Sequence, residues 1–255
     1  MTESLIISHN IEKRFTGKGG VVEVLHDVDF TIPRGSFTII FGPSGSGKTT
    51  LLNVLSGLEP PTKGHITIDG QDLYQLNSDE RSHFRAQTMG IVHQQNYWIK
   101  SLSVVDNVAM PLYLAGKDKR SASLMALESL DRVGMKEFAN RLPTILSGGQ
   151  QQRVSMARAL ASGKELILAD EPTGNLDSKN GTMIIDLLMS IRNDLNRTII
   201  LVTHNIEYLP LSDKQLYIHD GYVTEGSRGE RMPPEILDSL KAQIASLTGM
   251  QEGKR

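Results

Sequence analysis

Apolar positions along the chain follow two periods. In residues 27–32 and 65–69 apolar and polar side chains alternate, the pattern of strands with one covered face, and both are expected to pair antiparallel. Residues 36–41, 165–169 and 198–203 are short apolar runs without alternation, as in parallel strands covered on both faces. Between them, residues 49–56 and 150–161 have helical spacing, and 182–193 sets Met183, Ile184, Leu187, Leu188 and Ile191 on one predicted stripe. Strand and helix alternate, so an α/β fold follows.

Residues 78–146 break this rhythm. Their clearest features are an amphipathic pattern over 121–133 and one short strand candidate at 88–92, so the stretch reads as a mostly helical insertion of about 78–146. After Gly226 the chain turns polar; from Pro234 onward Ile236, Leu237, Leu240, Ile244 and Leu247 predict an amphipathic terminal helix within a tail, 226–255.

Composition narrows the class without naming a function. The 27 Lys and Arg nearly balance the 29 Asp and Glu across 255 residues, which argues against a whole-surface nucleic-acid binder. No window approaches the roughly 18 apolar residues of a membrane span. There is no cysteine for disulfides or thiolate metal sites, and the N-terminus shows no basic-then-apolar export pattern, so a cytoplasmic location is expected.

Candidate chemistry lies where buried strands end. The run Gly42, Pro43, Ser44, Gly45, Ser46, Gly47, Lys48, Thr49, followed by Thr50, fits a P-loop between a buried strand and a helix. Its glycines let successive N–H groups point at phosphate, Lys48 adds a point charge, and the Thr49 hydroxyl can ligate Mg²⁺. The apolar run 166–169 ends in Asp170 and Glu171. Carboxyl ends of parallel strands converge on a ligand crevice, so Asp170 is the expected metal partner and Glu171 the expected base. Alone, such a pair is an ordinary solvated strand end; its company with the P-loop changes that reading. His204 ends the 198–203 run at the same rim and could reach a γ-phosphate or orient the base. Ser147 and Gln150 have capping-box spacing around Gly148 and Gly149. A plain helix cap explains them, yet the bare N–H groups also form a second phosphate cradle, which suggests two chains.

The ordered set of 42–49, Gln94, 146–150, 166–171, Gly174-Asn-Leu-Asp177 and His204 resembles the ATP-binding cassette of ABC transporters over about residues 1–225. The resemblance implies a P-loop NTPase, RecA-like parallel-sheet core with an N-terminal antiparallel β subdomain and the helical insertion. It implies ATP and Mg²⁺, with Gln94 meeting the metal, Ser147 and Gly149 binding the γ-phosphate in trans, and Asp177 closing a head-to-tail dimer. Phe15 takes the place of the aromatic that stacks on adenine; a core role for it is the alternative. The stretches 169–178, 107–112 and 147–154 are similar to the group of lipoprotein-releasing LolD, macrolide-exporting MacB and cell-division FtsE cassettes. That likeness implies a separate transmembrane permease subunit of FtsX or MacB type, a peripheral position on the cytoplasmic side of the inner membrane, and no nucleic acid. The chain departs from the pattern at His93 and at Tyr97-Trp98-Ile99-Lys100. Tyr97 and Trp98 either line a groove for the membrane partner or pack within the insertion. A non-transport ABC ATPase, or a regulatory cassette that binds ATP without turnover, are the alternative functions; Glu171 and His204 argue against the latter.

Overall fold

The computed structural model describes residues 3–17 and 19–227. The alternating stretches pair as expected: β1 (Ser4–Gly17), β2 (Gly20–Pro33), β4 (Lys63–Ile68) and β5 (Gln71–Asp72) form an antiparallel sheet in the order β2-β1-β4-β5. The continuous apolar runs become β3 (Phe37–Phe41), β7 (Leu166–Asp170) and β8 (Thr198–Val202). With β6 (Met89–Val92), β9 (Lys214–His219) and β10 (Tyr222–Ser227) they build a six-stranded sheet, β10-β9-β3-β8-β7-β6, parallel except for β10.

Every residue of β3 and β8 is buried, because both sheet faces are covered. Successive side chains therefore divide between two cores. Phe37, Ile39 and Phe41 join Ile199 and Leu201 in the core filled by α3 (Val104–Leu114), α4 (Lys119–Arg132), α5 (Gly148–Leu160) and α6 (Ser178–Leu195). Ile40, Ile200 and Val202 join Leu51 and Leu55 of α1 (Lys48–Leu55) and the inner face of the antiparallel sheet. At the sheet edge, β6 and α5 meet closely: a Cβ on Gly90 would stand 2.4 Å from the Ala159 carbonyl oxygen.

Four features differ from the sequence reading. The strand β6, inside the stretch expected to be an insertion, pairs with β7 and so belongs to the central sheet. Helix α2 (Ser78–Thr88) has no fully buried residue and hence no apolar stripe; its start is set by Asn77, whose side chain accepts from the N–H groups of Asp79 and Glu80. Helix α3 is apolar nearly all round and carries Pro111, which hid its period. In α6 the buried stripe is Gly181, Ile184, Ile185, Leu188 and Ile191, while Met183 faces outward. The expected terminal helix lies outside the described residues. No helix among the described residues is long and apolar enough to cross a membrane.

Candidate functional site

Strands β3, β8 and β7 are neighbours, so their carboxyl ends bring the P-loop, His204 and Glu171 to one rim. They line a cleft of about 440 Å³ together with Val24, Ser44, Thr49 and Thr50. Gly42 is the tightest point of the loop: a Cβ there would lie 2.0 Å from the Ile218 carbonyl oxygen, and its φ of 152° suits only glycine. Gly47, at φ 107°, caps α1 without any side-chain hydrogen bond, and no acidic residue stands in the first turn. The positive end of α1 is thus left bare for an anion. The Lys48 ammonium donates to the carbonyl oxygens of Gly42 (2.9 Å) and Pro43 (2.7 Å). Its burial lowers its pKa, opposed by Glu171 and Asp170. Ser46 Oγ, within the same loop, is buried without a hydrogen-bond partner.

The carboxylates occupy the next strand end. Glu171 sits at φ 42°, a left-handed backbone that a non-glycine residue adopts at a cost of about 1–2 kcal/mol and that turns its side chain into the cleft. Its Oε1 lies 3.3 Å from His204 Nδ1. Burial, and then the neighbouring Glu171 charge, raise the pKa of Asp170, with Lys48 opposing. The Asp170 carboxylate, the Thr49 hydroxyl and the Gln94 amide are oxygen donors of the kind that fits Mg²⁺. Gln94 and Glu171 also share a second cavity of about 310 Å³ with Gly148 and Asn175. Gly174 stands against both side chains: a Cβ there would lie 3.2 Å from Gln94 Nε2 and 3.3 Å from Glu171 Oε2, so both would have to give by a few tenths of an ångström.

The capping box at the start of α5 is built as the spacing predicted. Ser147 caps α5, accepting from Gln150 N–H (3.4 Å), and Gln150 Oε1 accepts from Ser147 N–H (2.9 Å). None of Ser147, Gly149 and Gln150 lines the P-loop cleft. Asp177 caps α6, accepting from Asn180 N–H (2.8 Å), and that bond first of all holds its pKa below the usual carboxylate range. Asn180 in turn crowds the cradle: a Cβ on Gly149 would meet its Oδ1 at 2.7 Å. Phe15 is 41% exposed and absent from both cores, which removes the core alternative; the Lys13 ammonium lies 4.8 Å from its ring centre. Its register partner Val22 stands two residues before Val24 of the cleft. Val24 gave no signal in the sequence, since its place comes from β2 crossing the P-loop. Of the Tyr97–Trp98 pair, only Tyr97 borders a groove; Trp98 packs against α5.

The family model described as ABC transporter matches residues 25–174, a segment that holds the P-loop, Gln94, Ser147, Asp170 and Glu171. The chain belongs to the ABC transporter family. Like other cassettes of that family, it binds and hydrolyses ATP. The lipoprotein-releasing system ATP-binding protein LolD 1 of Rhodopseudomonas palustris is 43% identical over 202 residues, 79% of this chain and 89% of its own length. The protein LolD of Pseudoalteromonas translucida is 38% identical over 224 residues, 88% and 97% respectively. Among solved structures, the dimeric post-hydrolysis state of the ATP-binding cassette MJ0796, bound to ADP and Pi, is similar with a TM-score of 0.81 and 37% identity, covering 88% of this chain and all of that one.

Proposed function

We propose that two copies of this cassette close head to tail around two ATP and two Mg²⁺, hydrolyse the ATP, and thereby drive a separate membrane subunit. The observation that carries this reading is the division of the phosphate-binding groups. The P-loop, Glu171 and His204 share one cleft, while Ser147, Gly149 and Gln150 are not on it, which supports their serving the ATP of a second chain.

In this mechanism the bare N–H groups of the loop and of α1, with Ser46 Oγ, take the ATP phosphates. Lys48 exchanges the Gly42 and Pro43 carbonyls for phosphate oxygens. Thr49, Asp170 and Gln94 would hold Mg²⁺, which would supply neutralising charge. Glu171 orients a water and accepts its proton as the water attacks the γ-phosphorus in line and ADP leaves; His204 holds the Glu171 carboxylate. The partner's α5 end contributes positive potential to the γ-phosphate, Asp177 closes the interface, and the exposed Phe15 ring stacks on adenine. Phosphoryl transfer asks mainly for such positioning and charge.

The cassette is assigned to residues 1–225, with a helical part within about 78–146 and a tail at 226–255. Its membrane partner is of FtsX or MacB type, its station the cytoplasmic side of the inner membrane, and its work lipoprotein release or related export, as the LolD names of the relatives suggest. An apolar groove of about 540 Å³, bordered by His83, Tyr97, Ile99, Met110, Pro111 and Leu114, is suited to a helix of that partner. Phosphate release from ATP·Mg²⁺ tests the pairing: specific activity rises with protein concentration if two chains form each site, and stays constant if one chain suffices.

A further inference from the structure

The segment between Gln94 and the groove is pinned by side chains of two helices. From α5, Gln152 Nε2 donates to the His93 carbonyl (3.5 Å) and Arg158 Nη2 to the Asn96 carbonyl (2.9 Å). From α3, the buried Asn107 accepts from Ile99 N–H (2.9 Å) and donates back to the Ile99 carbonyl (3.1 Å). Tyr97 escapes this net: it stands at φ 46°, 70% exposed, on the groove wall. Next to it, the Trp98 ring lies over the Arg158 guanidinium at 4.6 Å, and its Nε1–H donates to Gln151 Oε1 (2.9 Å). An indole N–H can only donate, so Gln151 must offer its oxygen there, which leaves its amide nitrogen to donate to the Leu146 carbonyl at 3.0 Å. Leu146 directly precedes Ser147, the cap of α5.

We propose that Trp98 and Gln151 are positioning residues, a latch that ties the Tyr97 groove wall to the Ser147 phosphate cradle so that the two move as one body. A displacement of the groove wall then reaches the cradle through two hydrogen bonds and one ring contact. The latch rests on the pairing proposed above, because the cradle serves the ATP of the other copy. Trp98 belongs to a stretch where this chain departs from the pattern of its family, which is why the motifs alone did not disclose the contact.

Trp98 is the sole tryptophan, so its emission reports the latch directly. The full chain carrying Glu171→Gln is mixed with ATP·Mg²⁺ and followed by gel filtration and tryptophan emission. The expected result is pairing with a shift of emission that Gln151→Met abolishes. In chains that retain Glu171, Trp98→Phe and Gln151→Met each lower turnover about fivefold at unchanged thermal stability and unchanged ADP affinity of the free chain. The double variant is no worse than the poorer single one. Paired chains whose emission ignores ATP, an unchanged turnover in Trp98→Phe, or losses that simply add overturn the latch alone. A Glu171→Gln chain that remains monomeric with ATP overturns the pairing and the latch with it.

Discussion

The Glu171 carboxylate and the His204 imidazole stand 3.3 Å apart at the ends of two adjacent parallel strands, paired in register at Asp170 and Val202. The contact fixes the carboxylate that the strained backbone at 171 turns into the cleft. His204→Ala is expected to lower kcat about 100-fold while leaving the KM for ATP nearly unchanged, because in the proposed mechanism the imidazole holds the base and not the nucleotide's anchoring groups. Steady-state phosphate release checks it.

Lys48 is held by loop carbonyls, and its pKa lies below that of an ordinary lysine because it is buried. ATP binds the charged form. Affinity should therefore fall as pH rises through this lowered value, at less alkaline pH than the usual lysine range near 10.4 would give. The stability of the free chain moves oppositely. The buried ammonium costs stability fully below its folded pKa, and the cost is relieved as pH climbs toward the unfolded value. Equilibrium ATP binding across alkaline pH, with Lys48→Arg as a pH-insensitive control, tests the first sign, and denaturant unfolding of the nucleotide-free chain over the same range tests the second.

Asp170 is an acid whose pKa is raised in the fold, mainly by burial and then by Glu171. No penalty exists below the unfolded pKa near 3.9, and the full penalty applies once pH exceeds the raised folded value. Asp170→Asn should raise the melting temperature of the nucleotide-free chain by about 2–4 °C while nearly abolishing hydrolysis. Thermal scans with and without ATP·Mg²⁺ separate the effects: the parent chain gains stability from ATP·Mg²⁺, and the variant gains much less.

Gly90 lets the edge strand β6 approach α5, the helix that carries the second cradle. Since a Cβ would meet the Ala159 carbonyl at 2.4 Å, backbone has to move. Gly90→Ala should cost about 1–3 kcal/mol of stability, read from denaturant unfolding.

Much of this architecture was legible before any coordinates, and the exceptions have physical causes. Strands β3, β7 and β8 announced themselves because burial on both faces leaves no polar position. The P-loop did so because only glycine tolerates the backbone at Gly42 and Gly47. Helix α2 stayed hidden because it buries no whole side chain, although Asn77 and Glu80 spelled its capping box. Met183 was misplaced because α6 has more apolar residues than its stripe can cover. At the site, Asp170, Glu171 and His204 stand at strand ends, and only their company with the P-loop set them apart from ordinary solvated residues. Val24 and the Gln151 relay came only from tertiary approach, for which neither period nor motif gives a signal.

The central claim is that each ATP is sandwiched between the P-loop of one copy and the Ser147 cradle of another. The most direct measurement is the mass in solution of the Glu171→Gln chain with ATP·Mg²⁺, together with the nucleotide bound per chain. The account predicts a dimer holding two ATP, with turnover nearly abolished, and a monomer when Ser147→Arg is added. A monomer that binds one ATP, or a Glu171→Gln chain that hydrolyses ATP at the parent's rate, contradicts it.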